Sequence, residues 1–455
     1  MNMAATDFYT PVDQLSREYK SVKDAFESDR TLPLEWRKQQ LKQVWRMLDE
    51  NESRFHDALY ADIRKPKVET QSYEIIGIKN EIIHTLEHLD EWAKPSAVDV
   101  FEEFKVNQPR VYKQPKGAVL IIGTWNYPLD LTLDPLISAI SAGNTALLAE
   151  LIPRYLDSES YRVVNGDKDQ ATELLKHHWA HILYTGGAKV ARIVMAAASK
   201  HLTPVTLELG GKTPTIVTEK ANIAIAAKRI AWVKVWNLGQ TCMSTDYVLV
   251  HESVREQFVT ELIKYIKTFA ENSGVDGMSR LINNMHFHRI SDMLAATKGK
   301  VAFGGHQDEA KLFVEPTIIL DPALDDPTLE SEIFGPLLPL ITYKTLPEAR
   351  DLITRIDPTP LGLPRYFFTH IRSGGAAIND PMAQLAVPSV PFGGFGESGM
   401  GSYRGKAGFE TFSHLKSAVT TFTDPASEQA NEWRYALGDR EEKFQLLKNL
   451  EIPLS

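Results

Sequence analysis

Hydrophobic positions recur at two different periods along this chain, and the change of period divides it. From about Leu41 to Trp92 the period is helical. Leu41, Val44, Trp45 and Leu48 repeat at a 3.6-type spacing, as do Ile75, Ile78, Ile82, Ile83 and Leu86. Pro95 closes this region. Phe101 to Tyr112 is mostly polar and extended in pattern, suited to an arm or hairpin. Beyond it, short apolar runs alternate with helical ones. Ala118–Ile122, Thr145–Leu148, His181–Tyr184 and Val205–Leu209 predict strands. A turn and helix through Ile140 and a helix over Lys189–Lys200 fall between them. A second series follows Gly211, with strand Thr215–Val217, helix Ile223–Trp236, strand Tyr247–His251 and helix Val254–Glu271. Strands alternating with helices predict two parallel α/β units. The charged tail from Glu428 to Leu450 reads as helical, and Phe444, Leu446, Leu447, Leu450 and Ile452 make one side apolar.

Composition narrows the function classes. A chain of 455 residues exceeds a single compact core, so two or three domains are expected. A net charge of −9 without any basic run argues against nucleic-acid binding. One cysteine forms no internal disulfide and fits a reducing compartment. Met1 to Arg30 is polar and acidic, with no apolar core of a secretion signal. The longest apolar runs, such as Val119–Gly123, are strand-sized and fall short of the ~20 residues of a membrane helix. An intracellular protein is expected, cytoplasmic or peripheral on an intracellular membrane.

Four segments carry candidate chemistry. Gly239-Gln240-Thr241-Cys242 lies between a predicted helix and strand, where a connection presents reactive groups. Its thiol reads either as a nucleophile or as a buried, inert residue. Upstream, Leu207-Glu208-Leu209-Gly210-Gly211-Lys212 embeds a carboxylate in an apolar strand. Buried there, Glu208 would have a raised pKa and serve as a base; at a strand end facing solvent it would do nothing. Trp125-Asn126-Tyr127-Pro128 ends the first strand, and the Asn126 amide either donates to an oxyanion or only shapes a turn. Tyr184-Thr185-Gly186-Gly187 joins a strand to a helix, where small residues and a helix N-terminus favour a phosphate. Two further clusters are Glu332-Ile333-Phe334-Gly335-Pro336 and Pro391-Phe392-Gly393-Gly394-Phe395-Gly396-Glu397-Ser398-Gly399.

In content and order these motifs resemble the aldehyde dehydrogenase superfamily over about residues 20 to 425. Leu131-Thr132-Leu133-Asp134-Pro135-Leu136 and Thr411-Phe412-Ser413-His414 resemble its class 3 branch, which includes fatty aldehyde dehydrogenases and fungal enzymes acting on apocarotenoid aldehydes. The resemblance implies an α/β fold with a Rossmann-like cofactor domain, an α/β catalytic domain and a small β arm for oligomerisation. The cofactor domain would take 1–94 and 114–211, the catalytic domain 212–390, the arm 95–113 and 410–426, and a C-terminal helical segment 427–455. It implies Cys242 as nucleophile, Glu208 as general base, and Asn126 with the Cys242 backbone amide as oxyanion hole. Trp125, Thr185, Gly186, Gly187, Leu209, Gly210, Glu332 and Phe334 would contact the cofactor, and no metal is implied. His414 is either an active-site histidine or a packing residue near a subunit contact. The implied activity is oxidation of an aldehyde, long and apolar, to the acid through a thiohemiacetal and thioester. NAD is the expected cofactor, with NADP the other option. A homodimer is implied, with possible peripheral membrane contact through the C-terminal segment. The competing functions are a non-redox thiol esterase or acyl-transfer enzyme, and a non-catalytic structural relative.

The chain departs from the family pattern at two places. Leu148 runs into Ala149-Glu150-Leu151-Ile152-Pro153, where the family has a Lys-Pro-Ser-Glu segment that binds the adenosine ribose. Phe367-Phe368-Thr369 passes into His370-Ile371-Arg372 without the family's intervening helix. A break is therefore expected between Leu148 and Ala149, with Cα atoms beyond the ~3.8 Å of a bonded pair. Gly187 and Ala191 replace a common Ser and Gly.

Overall fold

The computed structural model describes residues 9–101, 105, 107–147, 152–274, 277–357, 371–430, 445 and 448. The Leu148–Ala149 link, Phe367–Thr369 and nearly all of the tail read as helical lie outside the described residues. Of that tail, Pro425–Ala430 is a short helix.

The helical N-terminal region is built from Leu15–Glu27, Leu34–Glu50, Glu52–Ile63 and Gly77–Ala93. Leu41, Val44, Leu48, Ile78 and Ile82 are buried together with Leu136, Ile137 and Ile140 of the helix Asp130–Ala142. Ile83, expected on this face, is exposed. Ile83 follows Ile82 by one residue on the regular helix Gly77–Ala93, which turns it about 100° off the buried stripe, so Ile78 and Ile82 point inward while Ile83 points out. A π-helical turn over Thr70–Ile76 precedes this helix.

The first sheet places Val205–Leu209 between His181–Gly186 and the strand Gly399–Met400, with Val119–Ile122 beyond His181–Gly186. The pairs among the first three strands are parallel; Gly399–Met400 joins antiparallel. A bridge from Ala118 to Thr145 leads on to Ala146–Leu147 and Tyr161–Arg162. Alternation sorts the side chains to two faces. Val119, Ile121 and Leu183 meet the helical core, while Leu120, Ile182 and Leu207 meet Ala191, Val194 and Ala198 of the helix Ala188–Ser199.

A second, five-stranded sheet runs Lys300–Phe303, Thr317–Leu320, Leu337–Tyr343, Tyr247–His251, Pro214–Val217. Only the Lys300–Phe303 edge is antiparallel. Only the last two strands in this order were expected from the apolar pattern. Val248, Val250, Ile318 and Leu340 pack on helices Ile223–Val235 and Arg255–Ser273 through Phe258, Leu262 and Ile266. A third, antiparallel sheet joins Ser96–Ala97, Arg110–Pro115 and Ser413–Ala418 into a largely exposed arm. Among the described residues, no helix is long and apolar enough to cross a membrane.

Candidate active site

Cys242 lies in the connection between the tight turn Trp236–Gly239 and the strand Tyr247–His251. Three consecutive residues of that turn are left-handed: Asn237 (φ 49°), Leu238 (φ 52°) and Gly239 (φ 71°). Glycine is required at 239, since a Cβ there would stand 2.3 Å from the Gly335 carbonyl oxygen. The glycine therefore lets the Glu332–Pro336 segment close against the cysteine loop. Thr213 donates to the Cys242 carbonyl at 3.1 Å, and the Gln240 amide donates to the carbonyls of Asn237 (3.0 Å) and Arg280 (2.9 Å). Cys242 as a residue is half-buried, while its thiol is enclosed by protein. Burial, and then the charges of Glu332 and Glu208, push it up to about 12. At rest it is protonated and needs a base.

Glu208 is buried in its strand, which rules out the solvent-facing alternative. Its Oε1 has no hydrogen-bond partner. Burial lifts its carboxyl up to about 8, opposed by the Arg404 charge and by the Gly394 backbone N–H. Asn126 is buried, and its Nδ2 donates to the Gln240 carbonyl at 3.1 Å. A primary amide carries two N–H groups, so one remains for a second acceptor. Asn126 is thus bonded to the cysteine loop, and Glu208 lies within electrostatic reach of the thiol.

Glu332 sits against Gly210 and accepts a backbone N–H from Gly211. A Cβ at residue 210 would stand 1.9 Å from Glu332 Oε2. Burial and the Asp246 charge raise the Glu332 carboxyl to about 8, against Lys212 and Arg289. Phe334, itself left-handed at φ 45°, lies edge-on to Trp125 with centroids 5.5 Å apart. The loop is framed by charges to which the sequence reading gave no role. Lys212 pairs with buried Asp246 and donates to the Ser331 carbonyl at 2.9 Å. Asp246 accepts the Ile333 N–H at 2.8 Å, and Arg289 donates to the Ile333 carbonyl at 2.7 Å. In the sequence, the signal for Lys212 is a cation two glycines past the end of an apolar strand.

Thr185, Gly186 and Gly187 line a cleft of about 890 Å³, together with Trp125, Asn165 and Gln170. Thr185 Oγ1 is buried with no hydrogen-bond partner. A Cβ at Gly187 would meet nothing within 4 Å, and Gly187 opens the helix Ala188–Ser199 without a side-chain cap. Free N–H groups, an unpaired hydroxyl and open space fit a dinucleotide phosphate here. At the adenosine end, residues 148–151 lie outside the described set. His414 is exposed on the arm, paired with Gln114. Its described pairing belongs to the arm and does not bring it to Cys242.

Known proteins resemble this chain over nearly its whole length. The profile of the aldehyde dehydrogenase family matches residues 9–418. The dimeric NADP-preferring aldehyde dehydrogenase of Mus musculus is 38% identical, covering 93% of this chain and 98% of that protein. The beta-apo-4'-carotenal oxygenase of Neurospora crassa is 39% identical, covering 91% and 82%. Aldehyde dehydrogenase family 3 member A2 of Rattus norvegicus is 39% identical, covering 95% of this chain and 94% of that protein. Its alignment runs over 464 positions, more than this chain has residues, so parts of that relative have no counterpart here. Among solved structures, the substrate-bound state of Staphylococcus aureus AldH superposes with a TM-score of 0.87 at 35% identity, covering 96% and 99%.

Proposed function

The chain belongs to the aldehyde dehydrogenase family, and from that premise we propose that Cys242, Glu208 and Asn126 divide the chemistry between them. The enzyme is an NAD(P)-dependent oxidoreductase that converts an aldehyde to its carboxylic acid. The thiol, held near 12, gives its proton to a base; Glu332 and Glu208 are both within electrostatic reach, and Glu208, held near 8 with an unpaired Oε1, takes that role while Glu332 serves the cofactor. The sulfur adds to the carbonyl carbon and forms a thiohemiacetal. Its oxyanion takes the spare N–H of Asn126 and the backbone N–H of Cys242, at about 3–4 kcal/mol per donor. NAD(P), when bound, supplies the hydride acceptor that turns this adduct into a thioester. Glu208 passes the thiol proton to solvent and then removes a proton from water. The water oxygen adds to the thioester carbon, the C–S bond breaks, the acid leaves, and Glu208 returns its proton to the sulfur. The observation that carries this reading is the unpaired Glu208 Oε1, buried within electrostatic reach of Cys242.

The cofactor contacts rest on the same logic. Trp125 and Phe334 would flank the nicotinamide, Glu332 beside Leu209 and Gly210 would take its ribose, and Thr185, Gly186 and Gly187 the phosphates. NAD is the first expectation; the Mus musculus relative is named NADP-preferring. A long apolar aldehyde is supported by the aromatic approach to the cysteine turn, where Trp236 meets Tyr73 at 5.6 Å and Trp232 at 5.1 Å. The Neurospora crassa relative is named for an apocarotenal. A homodimer is supported by exposed Val190 and Ile193 on one helix and by the open arm carrying His414. Peripheral membrane contact through the apolar side of the C-terminal segment belongs to the same proposal.

A panel of short and long aldehydes, each assayed with NAD and with NADP, tests the reading. Nicotinamide reduction with preference for long apolar chains is expected. Ester turnover without cofactor, and no reduction with any aldehyde, would replace it with a thiol esterase.

A further inference from the structure

A group of buried ions lies behind the oxyanion donor, and the mechanism above makes no use of it. The Lys65 and Glu74 side chains are fully buried and paired at 2.5 Å. Burial of two charges is costly in itself, so what they hold in place is the question. Lys65 Nζ donates to the main-chain carbonyl of Asn126 at 2.7 Å and lies 4.0 Å from the centre of the Tyr127 ring. The other carboxylate oxygen of Glu74 accepts the N–H groups of Leu129 (2.9 Å) and Asp130 (3.2 Å), which open the next helix. Lys65 and Glu74 therefore hold the chain at the Asn126 carbonyl and again at Leu129 and Asp130, directly after the Trp125–Pro128 turn.

Asn237 completes the arrangement from the cysteine loop. Its Nδ2 donates to the Asn126 carbonyl and to the Gln240 carbonyl, each at 3.1 Å. Gln240 is also where the Asn126 side chain donates. The Asn237 backbone N–H is held by Glu69 at 2.8 Å. A closed ring of hydrogen bonds thus ties the Asn126 turn to the loop that ends at Cys242. Asn237 holds a left-handed conformation to make it.

We infer that Lys65, Glu74 and Asn237 are positioning residues that fix the Asn126 amide relative to the Cys242 backbone N–H, so that both oxyanion donors aim at one point. This rests on the proposed role of Asn126. The clamp touches neither substrate nor cofactor, so it acts only through the donor it aims.

The test is a double-mutant cycle on the full chain. Asn126→Ala alone is expected to lower kcat about 100- to 1,000-fold, with cofactor affinity kept. Lys65→Met with Glu74→Gln removes both charges together and avoids an unpaired buried ion. It is expected to lower kcat about 10- to 100-fold, a fraction of that donor's worth. In the Asn126→Ala background the same pair should cost less than about 3-fold, because the donor it aims is gone. Equal losses in both backgrounds, or no loss in either, overturn the clamp. If Asn126→Ala keeps full kcat, the oxyanion role itself falls, and that outcome is distinct from a failed clamp. Should the Lys65/Glu74 pair not fold, Asn237→Gly enters the same cycle. Glycine keeps the left-handed backbone and deletes only the bridging amide.

Discussion

Gly399 stands directly opposite Glu208 in an antiparallel pair of strands, and a Cβ on it would lie 2.1 Å from the Leu207 carbonyl oxygen. The close pairing lets the loop carrying Gly394 return over the Glu208 carboxylate and donate a backbone N–H to it. Gly399 also sits at φ 137°, where side chains are strained. Gly399→Ala should therefore push the strand away from Glu208. We expect a loss of about 1–3 kcal/mol in stability, with kcat falling further than substrate KM. A variant that melts and turns over like the parent would show that this contact does not position Glu208.

Glu208 gives a pH dependence whose sign follows from its burial. The carboxyl sits at about 8 in the folded chain against an ordinary 4.5. Between those values the folded state keeps a proton that the unfolded chain has released. Stability from this group is therefore present at low pH, falls as pH rises from about 4.5 towards 8, and levels off above that. Glu208→Gln should be more stable than the parent at alkaline pH by on the order of a few kcal/mol, with no advantage near pH 4. Urea midpoints across that range measure it. In the parent, deacylation should speed up as pH rises through about 8, and Glu208→Gln should lose that limb. A flat difference in stability across the range would mean that Glu208 is not buried as an acid.

Cys242→Ala separates chemistry from cofactor binding. The change removes the nucleophile and leaves the Asn126–Gln240 bond and the Trp125–Phe334 pair untouched. Aldehyde-dependent nicotinamide reduction should fall to the assay floor, while NAD(P) affinity, read by tryptophan quenching, should change less than about 3-fold, under 1 kcal/mol. Residual turnover at a tenth of the parent rate would remove Cys242 from the mechanism.

The parts of this site that were legible in the sequence are those where local pattern and chemistry coincide. Val205–Leu209 shows its strand through apolar residues around one carboxylate, and Tyr247–His251 through an unbroken apolar run. Gly210 and Gly239 stood in their motifs without a reason legible in the sequence, and the structure supplies it: Glu332 and Gly335 lie where a Cβ would stand. Gly399–Met400 was hidden because a two-residue strand has no period to read. Buried ions were hidden for a different reason. Lys65 and Glu74, or Asp130 and Arg404, look like ordinary surface charges until the fold brings them together, and nothing in the local pattern marks a charge for burial. Ile78 and Ile82 were placed correctly by their spacing, and Ile83 was not, because it follows inward-facing Ile82 by one residue and so turns off the buried stripe.

Arg404 is the buried ion whose removal reaches both stability and catalysis. Its Nε donates to Asp134 at 2.7 Å, its Nη2 to Asp130 at 3.0 Å, and its Nη1 to the Leu385 carbonyl at 3.0 Å. The next residue, Gly405, gives its N–H to Glu81 at 2.7 Å. Burial raises all three carboxyls, and the Arg404 charge opposes that rise in each. Arg404→Met removes the cation these acids share, leaving only Lys65 to act on Asp130, and breaking such a buried pair costs about 3–5 kcal/mol. The loss should grow as pH rises, because the stranded carboxyls must then ionise in a buried place. Adding Asp130→Asn and Asp134→Asn should recover much of it. Arg404 also holds the Glu208 carboxyl down, so its loss should move the midpoint of the pH–rate profile upward from about 8. Urea midpoints and a pH–rate profile on Arg404→Met and on the triple variant decide both points. A profile that stays in place while stability falls would confine Arg404 to the structure and leave Glu208 to be tuned by burial and Gly394 alone.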